Sequence, residues 1–287
     1  MKVSLWFLNK IWDKKRPNQK EEMNVQKRYT FEDLRDIIEQ LRSENGCPWD
    51  KVQTHESLRA DMLEEAYEAV DAIDKGDMDN LKEELGDVLM QVVFHSSIEA
   101  QKGGFTLDDV IQGICEKMVY RHPHVFGEIS VDTAEQVLVN WEALKKKEKH
   151  MQTQTDVLKS VPDALPALTR AKKVQKKAAD VGFDFYEAGG AMEKVAEEIR
   201  ELQEAVEQPN GNIEEEFGDI LFTLVNVARF LKINPEFALT KATKKFINRF
   251  EYVENSALSE GKQLSTMTLE EMDLLWDQAK IALSKKL

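Results

Sequence analysis

The residues in this sequence best suited to chemistry are two acidic pairs, Glu65 with Glu68 and Glu84 with Asp87. Residues three positions apart share one face of a helix, so each pair presents two carboxylates together. A turn at Gly76 would fold the two helices into a hairpin and bring all four carboxylates into one place. Such a cluster is costly unless a cation balances it, and we expect no internal cation there. Oxygen-only ligands suit a hard ion, so we expect Mg²⁺, with Mn²⁺ as the alternative.

A second copy of this arrangement lies in the other half of the chain. Glu198 and Glu201 repeat the first pair, and Glu216 and Asp219 repeat the second, at offsets of 133 (65 to 198) and 132 (84 to 216) residues. One acidic pair alone is typical of a solvated helix face. Two pairs in the same order, repeated on amphipathic helices, favour a metal site in each half.

Helices must position these pairs, because the sequence has few residues that break a helix. Only 13 glycines and 7 prolines punctuate 287 residues, and apolar residues recur at helical spacing almost throughout from Tyr29 onward. Thr30 with Asp33 and Thr106 with Asp109 resemble capping boxes that begin two helices. The pattern predicts an all-α protein built as a duplicated four-to-five-helix bundle. Its predicted parts are an N-terminal arm over residues 1–28, a helical domain over 29–150, a linker over 151–166 and a second helical domain over 167–287.

The helix that carries Glu84 and Asp87 also carries an apolar stripe beside its carboxylates. We expect this stripe to face inward; it consists of Leu81, Leu85, Val88, Leu89, Val92 and Val93. Each half also has more amphipathic helix surface than one small bundle can hide. This excess predicts a homodimer or a larger assembly.

Composition excludes several classes of function. The formal net charge of -14 disfavours binding to nucleic acid or to an anionic membrane. No apolar run approaches the roughly 20 residues of a membrane span. Two cysteines far apart in the chain suggest no disulfide framework, which favours a cytoplasmic setting. The phosphate-binding loop of P-loop enzymes and the ExxH spacing of di-iron bundles are both missing from the sequence.

Several motifs together resemble one known family. Glu64-Glu65-Ala66-Tyr67-Glu68, followed by the glutamate–aspartate pair at 84 and 87, is similar to the EExxE and ExxD signature of the MazG-type all-α nucleoside triphosphate pyrophosphohydrolases. The loop Gly46-Cys47-Pro48-Trp49-Asp50 with Gln53-Thr54-His55, and the segment 121–126, resemble further parts of the two-domain members. The resemblance extends from Tyr29 to about Lys280.

The resemblance implies an activity and a division of roles. It implies hydrolysis of a nucleoside triphosphate between the α and β phosphates, Mg²⁺ dependence, dimerisation and broad base tolerance. Glu64 and Glu197 would orient or deprotonate the attacking water. The implied metal ligands are Glu65, Glu68, Glu84, Asp87, Glu198, Glu201, Glu216 and Asp219.

Basic and aromatic residues later in each half are candidate substrate contacts. Lys117 with Arg121, and Lys245 with Arg249, have the spacing to reach the β and γ phosphates from one helix face. Surface pairing with nearby acids is the alternative for them. The repeated WxxxK pattern suggests that the tryptophans cover a base, with core packing as the alternative. Its members are Trp141 with Lys145 and Trp276 with Lys280.

Three functions stay open at this point. The first is a broad pyrophosphohydrolase that clears nucleotides, and the second is a narrower enzyme for deoxy- or damaged-pyrimidine triphosphates. The third is a helical dimer that binds nucleotide or a protein partner without turnover. Two intact acidic sets argue against the third. If the halves differ, the C-terminal half is favoured, because Lys241 and Lys244 add positive charge to its basic helix.

Overall fold

A computed structural model describes residues 28–131, 133–148 and 151–284. The predicted N-terminal arm therefore lies outside the described residues, apart from Arg28. The described part of the chain contains helices and no strand, which confirms the all-α prediction. In chain order the helices are α1 (Phe31–Arg42), α2 (Arg59–Lys75), α3 (Met78–Gln101), α4 (Leu107–Arg121), α5 (Pro123–Phe126), α6 (Ala134–Glu148), α7 (Gln154–Lys159), α8 (Ala167–Ala179), α9 (Ala188–Glu207), α10 (Ile213–Phe230), α11 (Pro235–Ser259) and α12 (Leu269–Ser284). Short 3-10 turns lie at Asp50–Val52 and Leu264–Thr266.

Local sequence signals place the ends of the helices that carry the acidic pairs. Gly76 ends α2 in the left-handed conformation, at φ 68°, where a side chain would be strained. The Asp77 carboxylate then accepts a hydrogen bond from the backbone of Asn80 and begins α3. The capping boxes at Thr30 and Thr106 are both present at the starts of α1 and α4. The hairpin predicted from the turn at Gly76 is therefore confirmed.

The chain divides into two compact units, residues 1–138 and 139–287, so that α6 runs across the division. In the first unit α2 packs along α3, and α1 also packs on α3. A core closes this arrangement around Ile38, Leu58, Val93, Phe94, Ile98 and Leu107. The segment 151–166, which the sequence suggests is a linker, contains α7 and packs against α8.

The second unit repeats the helical hairpin of the first. Here α9 packs along α10, with α8 against α10. The helices α11 and α12 pack on each other, and α11 also contacts α8. Their contact encloses a small core of Val253, Ala257 and Leu275, with Trp276 packed against it. Each half therefore holds its two acidic pairs on neighbouring helices of one hairpin.

The inward orientation expected for the whole stripe of α3 is wrong in part. Val93 is buried, but Leu85 and Leu89 are 54% and 40% exposed. On α2, Leu63 is also exposed, at 54%. The apolar residues of α3 lie on more than one side of the helix. The core that includes α1 covers the part of α3 near Val93 but not the segment beside the acidic pairs. None of the described helices has both the length and the apolar character of a membrane span.

Candidate metal centre

The first acidic cluster lies between α2 and α3. Carboxylate oxygens of Glu65, Glu84 and Asp87 all lie within 4.8 Å of one another. Glu68, one helical turn after Glu65, lies close enough to Glu84 for its charge to raise the pKa of Glu84. The four predicted ligands of the N-terminal half are therefore neighbours. Three of them are close enough to share one ion.

Burial and mutual repulsion change the acidity of this cluster. Burial, followed by the charges of Asp87, Glu68 and Glu84, raises the pKa of Glu65 from 4.5 to about 7. Burial also raises the pKa of Glu84, with Glu68 and Asp87 as further causes. For Asp87 the same direction follows from burial and from the charge of Glu83. These carboxylates ionise less readily because they are buried close to one another. A divalent cation bound between them would reduce their mutual repulsion and favour the ionised form.

The second acidic cluster lies between α9 and α10. Carboxylate oxygens of Glu198, Glu201 and Glu216 lie within 4.8 Å of one another. Asp219, the fourth predicted ligand, is exposed and is not part of this group. Glu198 is the buried member, at 5% exposure. The second hairpin thus brings glutamates of both helices together, but Asp219 of the ExxD pair is not among them.

A lysine occupies the second cluster, and the expectation of no internal cation is wrong there. The ammonium Nζ of Lys194 lies 2.7 Å from Glu197 Oε1 and 2.9 Å from Glu198 Oε1. It is 4.0 Å from Glu201 Oε2. The hydrogen bonds to Glu197 and Glu198 raise the pKa of Lys194, so it is charged at neutral pH. Lys194 lies four residues before Glu198, a spacing that could have revealed the pair in the sequence.

The donor atoms in both clusters fit Mg²⁺ or Mn²⁺. All six grouped side chains offer carboxylate oxygen, which hard divalent ions prefer over nitrogen or sulfur ligands. Among the described residues, no lysine or arginine forms an ion pair with Glu65, Glu68, Glu84 or Asp87. The first cluster therefore has unbalanced negative charge, and the second is partly balanced by its own lysine.

The two residues expected to act on water stand in different surroundings. Glu64 is exposed beside the first cluster on α2. Glu197 is held by Lys194 at 2.7 Å. Neither arrangement tests the assigned role, which stays a prediction.

The basic and aromatic residues predicted to contact substrate lie on helices other than those that carry the acidic clusters. On α4, Arg121 is buried at 6% exposure, whereas Lys117 is half-buried. In the second unit Arg249 lies over the ring of Trp276, at 5.8 Å from its centroid, and Phe246 packs on the same ring. Lys280 pairs with Asp277 at 2.8 Å.

The remaining candidates lie elsewhere on their helices. Lys145 is 4.0 Å from Glu142, and Trp141 lies on the same helix, α6. Lys245 is exposed on α11. Of the predicted substrate contacts, the structure brings Arg249 and Trp276 together. Their roles in substrate binding stay predictions.

The GCPWD-like loop is anchored to α1 and α3. Arg42 donates hydrogen bonds to the backbone oxygen of Asp50 at 2.7 Å and to Gln101 at 2.9 Å. A side chain at Gly46 would collide with the backbone oxygen of Leu41, because the chain turns back on the end of α1 there. This motif therefore carries a packing requirement in the structure.

A histidine pair also anchors the loop before α2, and the sequence did not predict this pair. His55 and His95 meet through their Nδ1 atoms at 2.8 Å, and His55 Nε2 lies 2.9 Å from Glu99. Burial lowers the pKa of His95, with the charge of His55 as a second cause. The pair connects the loop before α2 to α3, the helix that carries Glu84 and Asp87.

Comparison with known proteins agrees with this arrangement of helices and acids. The family model described as the MazG nucleotide pyrophosphohydrolase domain matches residues 53–126 and 189–254, which contain the two acidic hairpins. A Thermotoga maritima protein named nucleoside triphosphate pyrophosphohydrolase/pyrophosphatase MazG is 45% identical over 250 residues, covering 87% of this chain and 95% of the relative.

The chain belongs to the MazG family.

Further relatives of this chain have the same extent or a longer one. An Escherichia coli K12 protein named nucleoside triphosphate pyrophosphohydrolase is 43% identical, covering 85% of this chain and 94% of the relative. The Bacillus subtilis protein YabN is 52% identical over 88% of this chain, but the chain spans only 52% of its length. The MazG family model matches twice, which supports the duplication seen in the sequence.

Proposed function

We propose that this protein hydrolyses nucleoside triphosphates to nucleoside monophosphate and pyrophosphate, with Mg²⁺ at its carboxylate clusters. The observation that carries the proposal is the convergence of three carboxylates from two helices, repeated in both halves of a MazG-family chain. The names of the Thermotoga maritima and Escherichia coli relatives supply the substrate class.

The residues divide the work between holding charge and moving a proton. Glu65, Glu84 and Asp87 would hold the metal in the first half, and Glu198, Glu201 and Glu216 in the second. When bound, the ion neutralises phosphate charge and lowers the pKa of a bound water. Glu64 and Glu197 would orient the attacking water and accept its proton. The water oxygen then bonds to the α-phosphorus, the bond to the bridging oxygen breaks, and pyrophosphate leaves with the electron pair.

Three finer properties belong to this proposal. Broad base tolerance follows from the resemblance to MazG proteins. A cytoplasmic location is supported by two cysteines, Cys47 and Cys115, that form no disulfide. A homodimer is supported by the exposed apolar side chains beside both clusters, such as Leu85 and Phe217, each 54% exposed. A sedimentation mass equal to the 33.0 kDa of one chain at micromolar concentration would exclude the dimer.

The test of the activity is an identification of products. Purified protein is incubated with Mg²⁺ and each common nucleoside triphosphate, and the products are separated as monophosphate with pyrophosphate or diphosphate with phosphate. We expect monophosphate and pyrophosphate from several bases, and no turnover when EDTA removes the metal. Circular dichroism in EDTA should show that the helices persist.

Matched variants make this test specific to the clusters. Asp74→Asn and Glu207→Gln remove exposed carboxylates from the same helices, α2 and α9, and should leave the products and rates unchanged. Hydrolysis of pyrimidine deoxynucleotides alone would favour the narrower enzyme. Nucleotide-dependent thermal stabilisation without any hydrolysis would favour the non-catalytic binding protein.

A further inference from the structure

The two halves carry opposite charges at one pair of matching positions, on the first helix of each hairpin. The offset of 133 residues that relates Glu65 to Glu198 also relates Asp61 to Lys194. Both residues lie four positions before the first grouped glutamate, so each shares a helix face with it. The first half therefore has an acid where the second half has a base.

Lys194 has the contacts of a bound cation. Its ammonium contacts Glu198 at 2.9 Å and Glu197 at 2.7 Å, and it lies 4.0 Å from Glu201. Glu198 and Glu201 are two of the three carboxylates that the second cluster offers to a metal. The lysine and a divalent ion would therefore compete for the same oxygens.

The first cluster has no such competitor among the described residues. Its grouped carboxylates, Glu65, Glu84 and Asp87, form no ion pair with lysine or arginine there. Asp61 adds a further acidic residue to the same helix face. Uncompensated carboxylates attract a divalent ion more strongly than carboxylates already neutralised by a tethered ammonium.

We propose that Lys194 acts as a resident cation that keeps divalent metal out of the second cluster until a polyphosphate draws its ammonium away, whereas the first cluster binds metal without nucleotide. A lysine ammonium is a compact charge on a flexible stem, so it can exchange a carboxylate partner for a phosphate oxygen. Metal then enters the second cluster together with the anion. The inference rests on the proposed function, since it assumes that the clusters are metal sites.

The test counts metal ions on the full chain in the absence of nucleotide. Binding of Mn²⁺ is measured by electron paramagnetic resonance for the wild type, Glu84→Gln, Lys194→Met and the double variant. We expect Glu84→Gln to lose most of the tight Mn²⁺ binding of the wild type. We expect Lys194→Met to restore binding in the Glu84→Gln background, with an affinity at least about tenfold higher than without it.

Three further measurements serve as controls for this result. Lys173→Met removes an exposed lysine of α8 and should change nothing. Asp61→Lys transfers the charge to the first half and should weaken its Mn²⁺ binding by about tenfold or more, even if the Lys194 variant fails to fold. In Glu84→Gln, Mg²⁺ with inorganic pyrophosphate should raise the Tm, whereas Mg²⁺ alone should not.

Two outcomes would overturn the inference. The first is that Glu84→Gln binds Mn²⁺ as tightly as the wild type does. The second is that Lys194→Met does not raise the affinity for Mn²⁺ and Asp61→Lys does not lower it. Pyrophosphate release by the wild type is measured separately. If the wild type releases pyrophosphate but the variants do not show the expected Mn²⁺ binding, only the role of Lys194 is rejected. If the variants show the expected Mn²⁺ binding but the wild type releases no pyrophosphate, only the enzymatic proposal is rejected.

Discussion

The two acidic hairpins of this chain carry the same acidic residue types at matching sequence positions but differ in charge balance. In the first hairpin the most buried carboxylate is Glu84, on the second helix of the pair, at 8% exposure. In the second hairpin it is Glu198, on the first helix, at 5%. Glu198 is held by Lys194, whereas Glu65, its counterpart, has no lysine partner among the described residues.

This difference shows that a duplicated hairpin can keep its acidic residues in the sequence while the charge that surrounds them changes. Burying a carboxylate is costly unless a cation accompanies it. Lys194 makes the burial of Glu198 tolerable, while the first cluster instead shifts the pKa of Glu65 to about 7. We infer that the first cluster is suited to holding metal, and that the second is suited to binding metal and polyphosphate together.

The largest expected effect comes from disabling both clusters at once. The double variant Glu65→Gln with Glu198→Gln removes one clustered carboxylate from each half while keeping the side-chain shapes. Because loss of groups that only orient metal ligands already costs about 10–100-fold, we expect pyrophosphate release at saturating Mg²⁺ to fall by at least about 100-fold. Near wild-type turnover, with normal circular dichroism, would show that neither cluster is the active site.

The single variants measure how the halves share the activity. We expect Glu198→Gln to lower pyrophosphate release by about tenfold or more, and Glu65→Gln to keep at least about half of it. The reason is the basic helix α11, which carries Lys241, Lys244 and Lys245, while on α4 Arg121 is already buried. A loss of about half in each variant would mean that both halves turn over equally.

The same two variants should change thermal stability in opposite directions. In EDTA at pH 8, Glu65→Gln removes one of several mutually repelling carboxylates and should raise the Tm by a few degrees. Glu198→Gln removes the buried partner of Lys194 and should lower the Tm by a similar amount. Differential scanning calorimetry gives both values, with Asp74→Asn and Glu207→Gln as controls. Shifts in the same direction would contradict the difference in charge balance.

The smallest expected effect is a pH dependence that belongs to the first cluster. The pKa of Glu65 is raised from 4.5 to about 7, so the folded chain binds more protons than the unfolded chain between these values. Stability should therefore be highest at the acidic end of this range and fall as pH rises through about 7. Between pH 5 and pH 8 in EDTA, the Tm of Glu65→Gln should fall less than that of the wild type.

Metal provides the control for this pH profile. Saturating Mg²⁺ favours the ionised carboxylates and should remove most of the difference between the wild type and Glu65→Gln. If the two profiles coincide in EDTA, the raised pKa of Glu65 is not a property of the folded protein in solution.

The sequence by itself determined the helices, the hairpins and the duplication of the acidic pairs. These features depend on local spacing, such as Thr30 with Asp33 in a capping box or Gly76 at the end of α2, and local spacing is readable directly. The family followed from motifs of the same kind, and the family model and relatives confirmed it.

Only the tertiary structure decided which carboxylates meet and what balances them. Distances between side chains on different helices depend on how each helix is rotated in its pair, which is why Asp87 joins the first cluster and Asp219 stays out of the second. The exposure of Leu85 depends likewise on which neighbours cover α3. A lysine has many rotamers, so its spacing allows several partners, and packing selected the buried Glu198 as the partner of Lys194.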